Sequence, residues 1–382
     1  MVGDRRPIYQ SLSGGGPELK VLLVTDNVSG GIVHYVSQLA NALAEEDETV
    51  LFAPVGVDRQ NFSPKVRVKE LPVGNTLRNF IVNTAYLPRA VRFLTALQQE
   101  RPEVIHFQLT PPWFLLFFPF LRKYPLVTTI HDVRPHTGSR AFDQVISNEA
   151  YISCSDAVIV HGQWAKEVLG AGEKCHVIPH GDYAFFGDYE DNGGSAEETG
   201  TILFFGRIED YKGLSYLLDA MPGVVRSVPD ARLVIAGSGD LSPYQAAIDP
   251  AWCEVHNRYI RDDEVAGFFK QASVVVLPYI EGTQTGIIPI AYAFRKPVVV
   301  TAVGSIPEVV DDGRTGRVVQ PRDVDALEGA LISLLTDPKG GTEMGEAGYQ
   351  KMRAELSWDV VARRTREVYR SSIREKSRYA GS

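Results

Sequence analysis

Residues 201–221 read TILFFGRIEDYKGLSYLLDAM. The segment begins with an apolar run of strand length, passes through a polar turn between Gly206 and Gly213, and continues with the spacing of an amphipathic helix. A strand that leads through a short turn into a helix is part of a βαβ unit, the building block of parallel sheets. The segment therefore predicts an α/β fold with a parallel sheet.

The same alternation of apolar runs and helical patterns continues in both directions from this segment. Toward the N-terminus it predicts strands at residues 20–25, 48–52, 104–107, 126–130, 157–160 and 176–178, with helices at 32–44 and 87–100. Toward the C-terminus it predicts strands at 232–236, 255–259, 274–278, 298–301 and 316–318, with helices at 214–225, 262–271, 287–294, 305–310 and 325–335. Two such series in tandem predict two Rossmann-like, doubly wound domains.

A polar segment divides the two series. Residues 183–200 are rich in acidic residues and glycine and are predicted to form a linker. A chain of 382 residues is long enough for two domains, which we place at residues 20–182 and 201–357. Residues 1–19 are predicted to be a flexible tail, and residues 358–376 a final helix.

The composition limits the classes of protein to consider. Lys and Arg number 39 against 47 Asp and Glu, a formal net charge of −8, so no concentrated positive surface for nucleic acid is expected. The three cysteines, Cys154, Cys175 and Cys253, lie far apart without a CxxC pair, which is typical of a reducing compartment. No signal peptide is predicted, and the cytoplasm is the expected location.

Two segments raise the question of a membrane. The longest apolar run, residues 112–121, has about half of the roughly 20 residues that a spanning helix needs. Its aromatic residues are predicted to be core, with contact to a lipid-linked acceptor as the alternative: Trp113, Phe114, Phe117, Phe118 and Phe120. The basic residues of the final helix are predicted to be solvated, with a peripheral membrane contact as the alternative: Arg363, Arg364, Arg366, Arg370, Arg374 and Lys376.

The turn at residues 205–213, FGRIEDYKG, carries the strongest local indication of chemistry. It follows a strand and opens a helix, so backbone amides should point at one spot. Arg207 and Lys212 add two positive charges there, which would stabilise the negative charge on a departing diphosphate. A basic loop with a glycine turn and no ligand is the alternative.

Two further turns place glycine directly after a strand. Gly30 and Gly31 follow the first strand, and Gly237 follows the strand at residues 232–236. Without a side chain, glycine lets the backbone approach a phosphate or a sugar closely. Each turn alone is a weak indication, because many strand–helix turns contain glycine.

A fourth turn, EGTQTG at residues 281–286, also follows an apolar strand and precedes a helical pattern. Gln284, Thr285 and Gly286 would offer backbone amides to the same diphosphate. Glu281 is a lone carboxylate at a strand end, for which helix capping or a surface ion pair is the alternative.

His131 ends a predicted strand within the sequence TIHD. A histidine at a strand end can hydrogen-bond a substrate hydroxyl near neutral pH, although a single histidine is more often structural. The other histidines considered are interpreted as structural: His106, His161, His176 and His256.

The sequence Asp323-Val324-Asp325 resembles the DxD metal motif of a different transferase fold. It precedes a helical pattern, so we interpret it as helix capping. No metal site is predicted.

In their order and spacing, these motifs resemble those of glycosyltransferase family four, the retaining enzymes of the two-domain GT-B fold. The resemblance covers nearly the whole chain, through VIHFQ, TIHD, VIPHGD, LFFGRIEDYKGLSYLLDAM, RLVIAGSGD, VVVLPYIEGTQTG and KPVVVTAVGSIPEVV. It implies transfer of a hexosyl unit from a nucleotide diphosphate sugar, with a UDP-sugar as the favoured donor. It implies no metal or cofactor, and the acceptor stays open.

The resemblance also implies roles for the matching positions. Gly30 and Gly31 correspond to the loop that meets the donor phosphate and the acceptor. Arg207 and Lys212 correspond to the pair that holds the diphosphate.

The remaining implied roles concern the sugar and the base. Glu281 corresponds to the first of two paired glutamates, near the donor sugar hydroxyls, and His131 to a histidine beside the transferred sugar. The segment around Tyr259 and Ile260 corresponds to the lining of the base. The final helix corresponds to one that crosses back onto the first domain.

The sequence departs from the family at the second glutamate, which holds the ribose and follows the first by eight positions. Counting from Glu281 gives Pro289, and counting back from Lys296-Pro297 gives Ile290. Neither is a carboxylate, so the ribose must be held by other groups.

Two other classes of function share this fold. A sugar-nucleotide epimerase or a phosphorylase would use a similar phosphate pocket, and a non-catalytic partner subunit would fit the missing glutamate. Because fold does not determine function, the choice depends on Arg207, Lys212 and Glu281, which favour the transferase.

Overall fold

The computed structural model describes residues 19–71, 87–134, 141–188 and 197–380. These residues form a seven-stranded and a six-stranded sheet. The first sheet contains β1 (Lys20–Val24), β2 (Glu48–Pro54), β3 (Arg67–Leu71), β4 (Val104–Phe107), β5 (Leu126–Thr129), β6 (Ala157–Val160) and β7 (Cys175–Val177). The second contains β8 (Thr201–Phe205), β9 (Arg232–Ala236), β10 (Cys253–His256), β11 (Val274–Leu277), β12 (Val298–Thr301) and β13 (Gly316–Val319).

Helices connect the strands and cover both faces of each sheet. In the first half they are α1 (Gly31–Leu43), α2 (Leu87–Glu100), α3 (Phe118–Leu121), α4 (Ala141–Cys154) and α5 (Gln163–Leu169). In the second half they are α6 (Leu214–Ser227), α7 (Asp262–Gln271), α8 (Ile287–Ala293), α9 (Ile306–Val309), α10 (Val324–Thr336), α11 (Pro338–Lys351) and α12 (Trp358–Ala380).

Each sheet is parallel and reverses its winding direction once. The strand orders are β3-β2-β1-β4-β5-β6-β7 and β10-β9-β8-β11-β12-β13. The reversals fall between β1 and β4 and between β8 and β11. In such sheets a crevice for ligands opens at the reversal, outside the carboxyl ends of the strands. The predicted α/β class with two Rossmann-like domains is confirmed.

The predicted strands are correct in place, with one omission and one displaced end. Strand β3, RVKEL, was not predicted because its exposed and charged side chains lack the apolar run typical of a buried parallel strand. The strand predicted at 255–259 instead covers Cys253–His256 and ends before Tyr259. Helices α4, α5 and α11 were also not predicted.

The final helix α12 crosses back and packs on the first domain, as the resemblance implied. Trp358 and Tyr369 are buried in one core cluster with residues of α1, and the Tyr369 hydroxyl lies 2.7 Å from His106 Nδ1. The predicted solvated face is wrong for Arg366, which is buried and pairs with Asp47 at 2.8 Å. Asp47 lies far from Arg366 in the sequence, so the helical pattern alone could not indicate this burial.

The segment predicted as a linker begins with buried aromatic side chains. Tyr183 and Phe186 are 5% and 3% exposed and belong to the core of the second domain. The pattern did not show this because two isolated aromatic residues in a polar segment have no periodicity. Residues 189–196 of the predicted linker and residues 1–18 of the predicted tail lie outside the described residues.

The aromatic run at residues 112–121 contributes mainly to the core. Phe114, Phe117 and Phe118 are buried, as predicted, whereas Phe120 is 58% exposed. The side chain of Trp113 lies outside the described part of the chain. Within the described ranges, no helix has both the length and the apolar character needed to cross a bilayer.

Candidate active site

The turn after β8 lies at the winding reversal of the second sheet and is packed tightly against its neighbours. Gly206 has φ +107°, and a Cβ at Gly237 would lie 1.9 Å from the Gly206 carbonyl oxygen. Only glycine permits this approach of two backbones. The structure thus gives Gly237 a packing role, and its predicted contact with the donor stays a prediction.

The two cations of this turn differ sharply in burial. The Arg207 side chain is 70% exposed and pairs with Glu209 at 3.0 Å. Lys212 is 7% exposed, and its ammonium lies 5.6 Å from the centre of the Tyr279 ring. Within the described residues no carboxylate pairs with Lys212 Nζ. A largely buried lysine whose ammonium has no counter-ion indicates a site for an anion.

Glu281 lines a cavity of about 250 Å³ to which both domains contribute. The lining residues are Arg134, Trp164, Ile280, Glu281, Gly282, Thr283, Val303 and Gly304. Arg134 and Trp164 belong to the first domain and the others to the second. The strand ends after β5 and β11 therefore face the same space.

The loop before α8 approaches the glycine loop of the first domain. A Cβ at Gly286 would lie 2.8 Å from the Tyr183 ring, and the Tyr183 hydroxyl lies 3.5 Å from the Gly31 carbonyl oxygen. The structure thus brings Gly31 and Gly286 to two sides of one aromatic side chain. Thr285 Oγ1 accepts the Ile287 amide at 3.2 Å, and Gln284 Oε1 is buried without a partner in the described residues.

Gly30 and Gly31 form an open loop at the start of α1. Gly30 has φ +82°, a conformation that favours glycine, and a Cβ at either position would meet nothing within 4 Å. The space in front of this loop is available to a ligand.

The two residues predicted to line the base differ in their exposure to solvent. Tyr259 is 63% exposed and Ile260 is 7% exposed, within the core of the second domain. Ile260 is packed inward and is not available to line a base, and the contact of Tyr259 with a base stays a prediction.

A chain of hydrogen bonds determines the tautomer of His131. His161 Nδ1 lies 3.0 Å from the Ile178 carbonyl oxygen, and His161 Nε2 lies 3.0 Å from His131 Nδ1. The carbonyl can only accept, so His161 carries its proton on Nδ1 and accepts at Nε2. His131 therefore donates from Nδ1, and its Nε2 has a free lone pair. His161, interpreted from sequence as structural, in fact orients His131.

His131 is neutral at physiological pH. Burial, with smaller contributions from His180 and His106, lowers the pKa of His131 to about 3. Its Nε2 is buried and has no hydrogen-bond partner within the described residues. The ring can therefore accept a hydrogen bond from a hydroxyl, but it does not provide a positive charge.

Direct contacts hold the two domains together around this space. The Glu308 carboxylate accepts the backbone amides of Gln163 and Trp164 at 2.6 and 2.8 Å, where α5 begins. On the opposite side, His34 Nε2 lies 2.8 Å from Asp262 Oδ2, which joins α1 to α7. These partners come from distant parts of the chain and could not be paired from sequence.

Sequence reasoning missed two polar residues at the reversal of the first sheet. Asp26 and Gln108 follow β1 and β4, and both are buried with side-chain oxygens that have no partner within the described residues. Burial raises the pKa of Asp26 to about 6. Their signal in the sequence is a polar residue just after an apolar strand, at the edge where ligands bind.

Asp26→Asn should stabilise the protein more at neutral pH than in acid. Folding raises the pKa of Asp26 from 3.8 to about 6, so its stability contribution is fully present below pH 3.8 and is lost as the pH rises through 6. The gain in free energy of unfolding should grow from near zero at pH 4 to about 3 kcal/mol at pH 7. Urea unfolding at both pH values measures it. Exposed Asp219→Asn is the control, and an equal gain for Asp26→Asn at both pH values would contradict the prediction.

The described residues contain no group of three His, Cys, Asp or Glu side chains placed to hold a metal ion. The Asp323 side chain accepts the Ala326 amide at 2.9 Å and caps α10. The capping interpretation of the DVD sequence is therefore confirmed.

Two parallel-sheet domains, a shared cavity at their strand ends and a buried cation at one reversal define the GT-B class of architecture. Models of two families match the chain: "Glycosyltransferase Family 4" at residues 29–181 and "Glycosyl transferases group 1" at residues 199–337. The chain belongs to these group 1, family 4 glycosyltransferases, and it is an enzyme that transfers sugar from a sugar donor.

Similar proteins agree with this assignment. A phosphatidyl-myo-inositol mannosyltransferase of Mycolicibacterium smegmatis is 32% identical over 54% of both chains. One from Mycobacterium leprae is 26% identical over 90% of this chain and 93% of its own length.

Among solved structures, a sucrose-phosphate synthase of Thermosynechococcus elongatus has a TM-score of 0.75 at 21% identity, covering 95% of this chain and 99% of its own. Anabaena HepE in complex with UDP-glucose has a TM-score of 0.72 at 14% identity, covering 93% and 100%. At these identities the structural likeness shows the fold.

Proposed function

We propose that the protein is a retaining glycosyltransferase that moves a hexosyl unit from a nucleotide diphosphate sugar, with a UDP-sugar as the favoured donor, to a hydroxyl acceptor. The observation that carries the proposal is Lys212 in the turn after β8, whose side chain is largely buried and whose ammonium has no carboxylate partner within the described residues. HepE binds UDP-glucose, which supports UDP, while a relative from Corynebacterium glutamicum is named as GDP-mannose-dependent, which makes GDP the alternative.

In this mechanism the bond from the anomeric carbon to the diphosphate breaks, and the acceptor oxygen attacks the same face. Lys212 stabilises the negative charge on the leaving oxygen, and Arg207 assists from the exposed side after release from Glu209. The departing phosphate takes the acceptor proton, so no strong protein base is needed. His131, neutral and accepting at Nε2, orients a sugar hydroxyl together with Glu281.

Metal independence and location are further parts of the proposal. Two side-chain cations near the diphosphate supply the charge that a metal would otherwise supply. The location proposed is the cytoplasm, with a peripheral contact on the inner face of the membrane. Exposed Leu116 and Phe120 beside exposed Arg122 and Lys123 support the membrane contact.

UDP should raise the melting temperature of the protein in the presence of EDTA. A ligand at about 100 times its dissociation constant adds roughly 2.7 kcal/mol of stability. Differential scanning fluorimetry with UDP, GDP and ADP measures the shift, and uridine without a diphosphate is the matched control. If no nucleoside diphosphate raises the melting temperature, the proposed donor site is wrong. A shift that requires Mn²⁺ or Mg²⁺ would contradict the role given to Lys212 and Arg207.

A further inference from the structure

Three buried polar side chains in the first domain have hydrogen-bonding atoms without partners in the described residues. These atoms are Asp26 Oδ1, both Oε1 and Nε2 of Gln108, and His131 Nε2. Gln108 is completely buried. Most buried side-chain polar atoms have at least one partner, so an amide with neither atom paired requires an explanation.

The strand pairing places these residues next to one another. Val24 of β1 lies opposite Phe107 of β4, and the Gln108 amide donates to the Val24 carbonyl at 2.9 Å. The Gln108 backbone also contacts the His131 ring. All three residues follow the carboxyl ends of adjacent strands, at or beside the reversal between β1 and β4, where a ligand crevice is expected.

Several polar groups around these three residues have hydrogen-bond partners within the protein. Thr110 Oγ1 donates to Asn148 Oδ1 at 2.7 Å, and Asn148 Nδ2 donates to the Asp132 carbonyl at 3.2 Å. The Tyr151 hydroxyl donates to the Pro111 carbonyl at 2.9 Å. These bonds pair the neighbouring polar groups, whereas the atoms named above at the strand ends have no partner within the described residues.

We propose that Asp26 and Gln108 bind two neighbouring hydroxyls of a neutral polyol acceptor, beside the sugar contacted by His131. The proposal rests on the proposed function. Lys212 places the diphosphate on the second domain, so the strand ends of the first domain meet the acceptor. A carboxylate and a histidine lone pair accept hydrogen bonds, the amide accepts and donates, and hydroxyls can satisfy all three. A phosphate or carboxylate on this part of the acceptor would be repelled by Asp26.

The test uses Gln108→Leu in the full-length protein, with Gln108→Met as a second variant. Gln108→Leu should raise Tm, because the folded protein no longer bears the free-energy cost of burying an amide without partners. Gln108→Leu should also raise KM for a polyol acceptor about tenfold or more, which is the effect of losing one buried hydrogen bond. The melting shift with UDP should be retained. Exposed Gln99→Leu is the matched control and should leave Tm and KM unchanged.

Acceptor use is measured as UDP release from the donor sugar that the melting screen selects. The probes are myo-inositol, D-mannose, D-glucose and octyl glucoside, with glucose 6-phosphate as the anionic counterpart. We expect at least one neutral polyol to accelerate release in the wild type, and less so in Gln108→Leu.

Three results would overturn the inference: no acceleration by any neutral polyol, equal acceleration in the variant, or a clear drop in Tm for both Gln108 variants. The last would show that the amide is paired within the protein. Failure of the proposed function is distinct, because it would appear as the absence of any nucleotide melting shift in the wild type.

Discussion

Replacing Lys212 with methionine should lower turnover by a factor of about 100 to 1,000, the usual effect of losing one preorganised charge contact to the transition state. The folded protein should tolerate the change, because the Lys212 side chain is largely buried and its ammonium has no carboxylate partner in the described residues. Methionine fills a similar volume and removes a charge that has no counter-ion. Steady-state UDP release, with Tm of the free enzyme, tests both parts.

Lys296→Met is the matched control for this experiment. Lys296 is also buried, at 8% exposed, but its ammonium pairs with Glu197 at 2.7 Å. We expect Lys296→Met to change stability slightly and turnover little. Turnover of Lys212→Met within a few-fold of the wild type, with the UDP melting shift intact, would remove Lys212 from the mechanism.

Ile290→Glu should destabilise the protein by about 3–5 kcal/mol, the cost of a buried charge without a partner. This is the position where the family pattern, counted back from Lys296-Pro297, places its second glutamate. Ile290 is 5% exposed and belongs to the core cluster of the second domain, beside buried Ile288 and Ala291. A carboxylate here would enter apolar packing rather than a polar pocket.

Urea unfolding compares Ile290→Glu with Ile290→Val, which removes one methylene and should cost about 0.5–1.5 kcal/mol. If Ile290→Glu keeps wild-type stability and binds UDP more tightly, the ribose pocket lies at this position and the side chain turns toward it. The expected loss instead means that Ile290 is part of the core and that no ribose pocket lies at this position.

Much of the architecture could be predicted from the sequence because its signals are local. A buried parallel strand such as VVVL in β11 needs an unbroken apolar run, and the helix that follows needs its own periodicity. The turns between them contain glycine where backbones approach closely, as at Gly206 and Gly237. These constraints act within about ten residues, so two domains and the loops that carry Arg207, Lys212 and Glu281 could be located without coordinates.

Strand order, burial and pairing were decided by the tertiary structure. The motif at residues 205–213 contains two cations that the sequence does not distinguish. In the folded protein Arg207 is exposed and pairs with Glu209, whereas Lys212 is buried against the Tyr279 ring. Which cation is buried depends on β11 and the loop after it, more than sixty residues away, and no local pattern encodes that contact.

Contacts between distant parts of the chain also explain why the sequence did not indicate several polar groups of the site. His161 fixes the tautomer of His131 across 30 residues of chain, and Glu308 caps the start of α5 from the other domain. Asp26 and Gln108 become neighbours only because β1 pairs with β4, which places Val24 opposite Phe107. Neither strand alone indicates that pairing. Hydrogen-bond satisfaction is a property of what surrounds an atom, and for these atoms the surroundings are assembled by long-range packing.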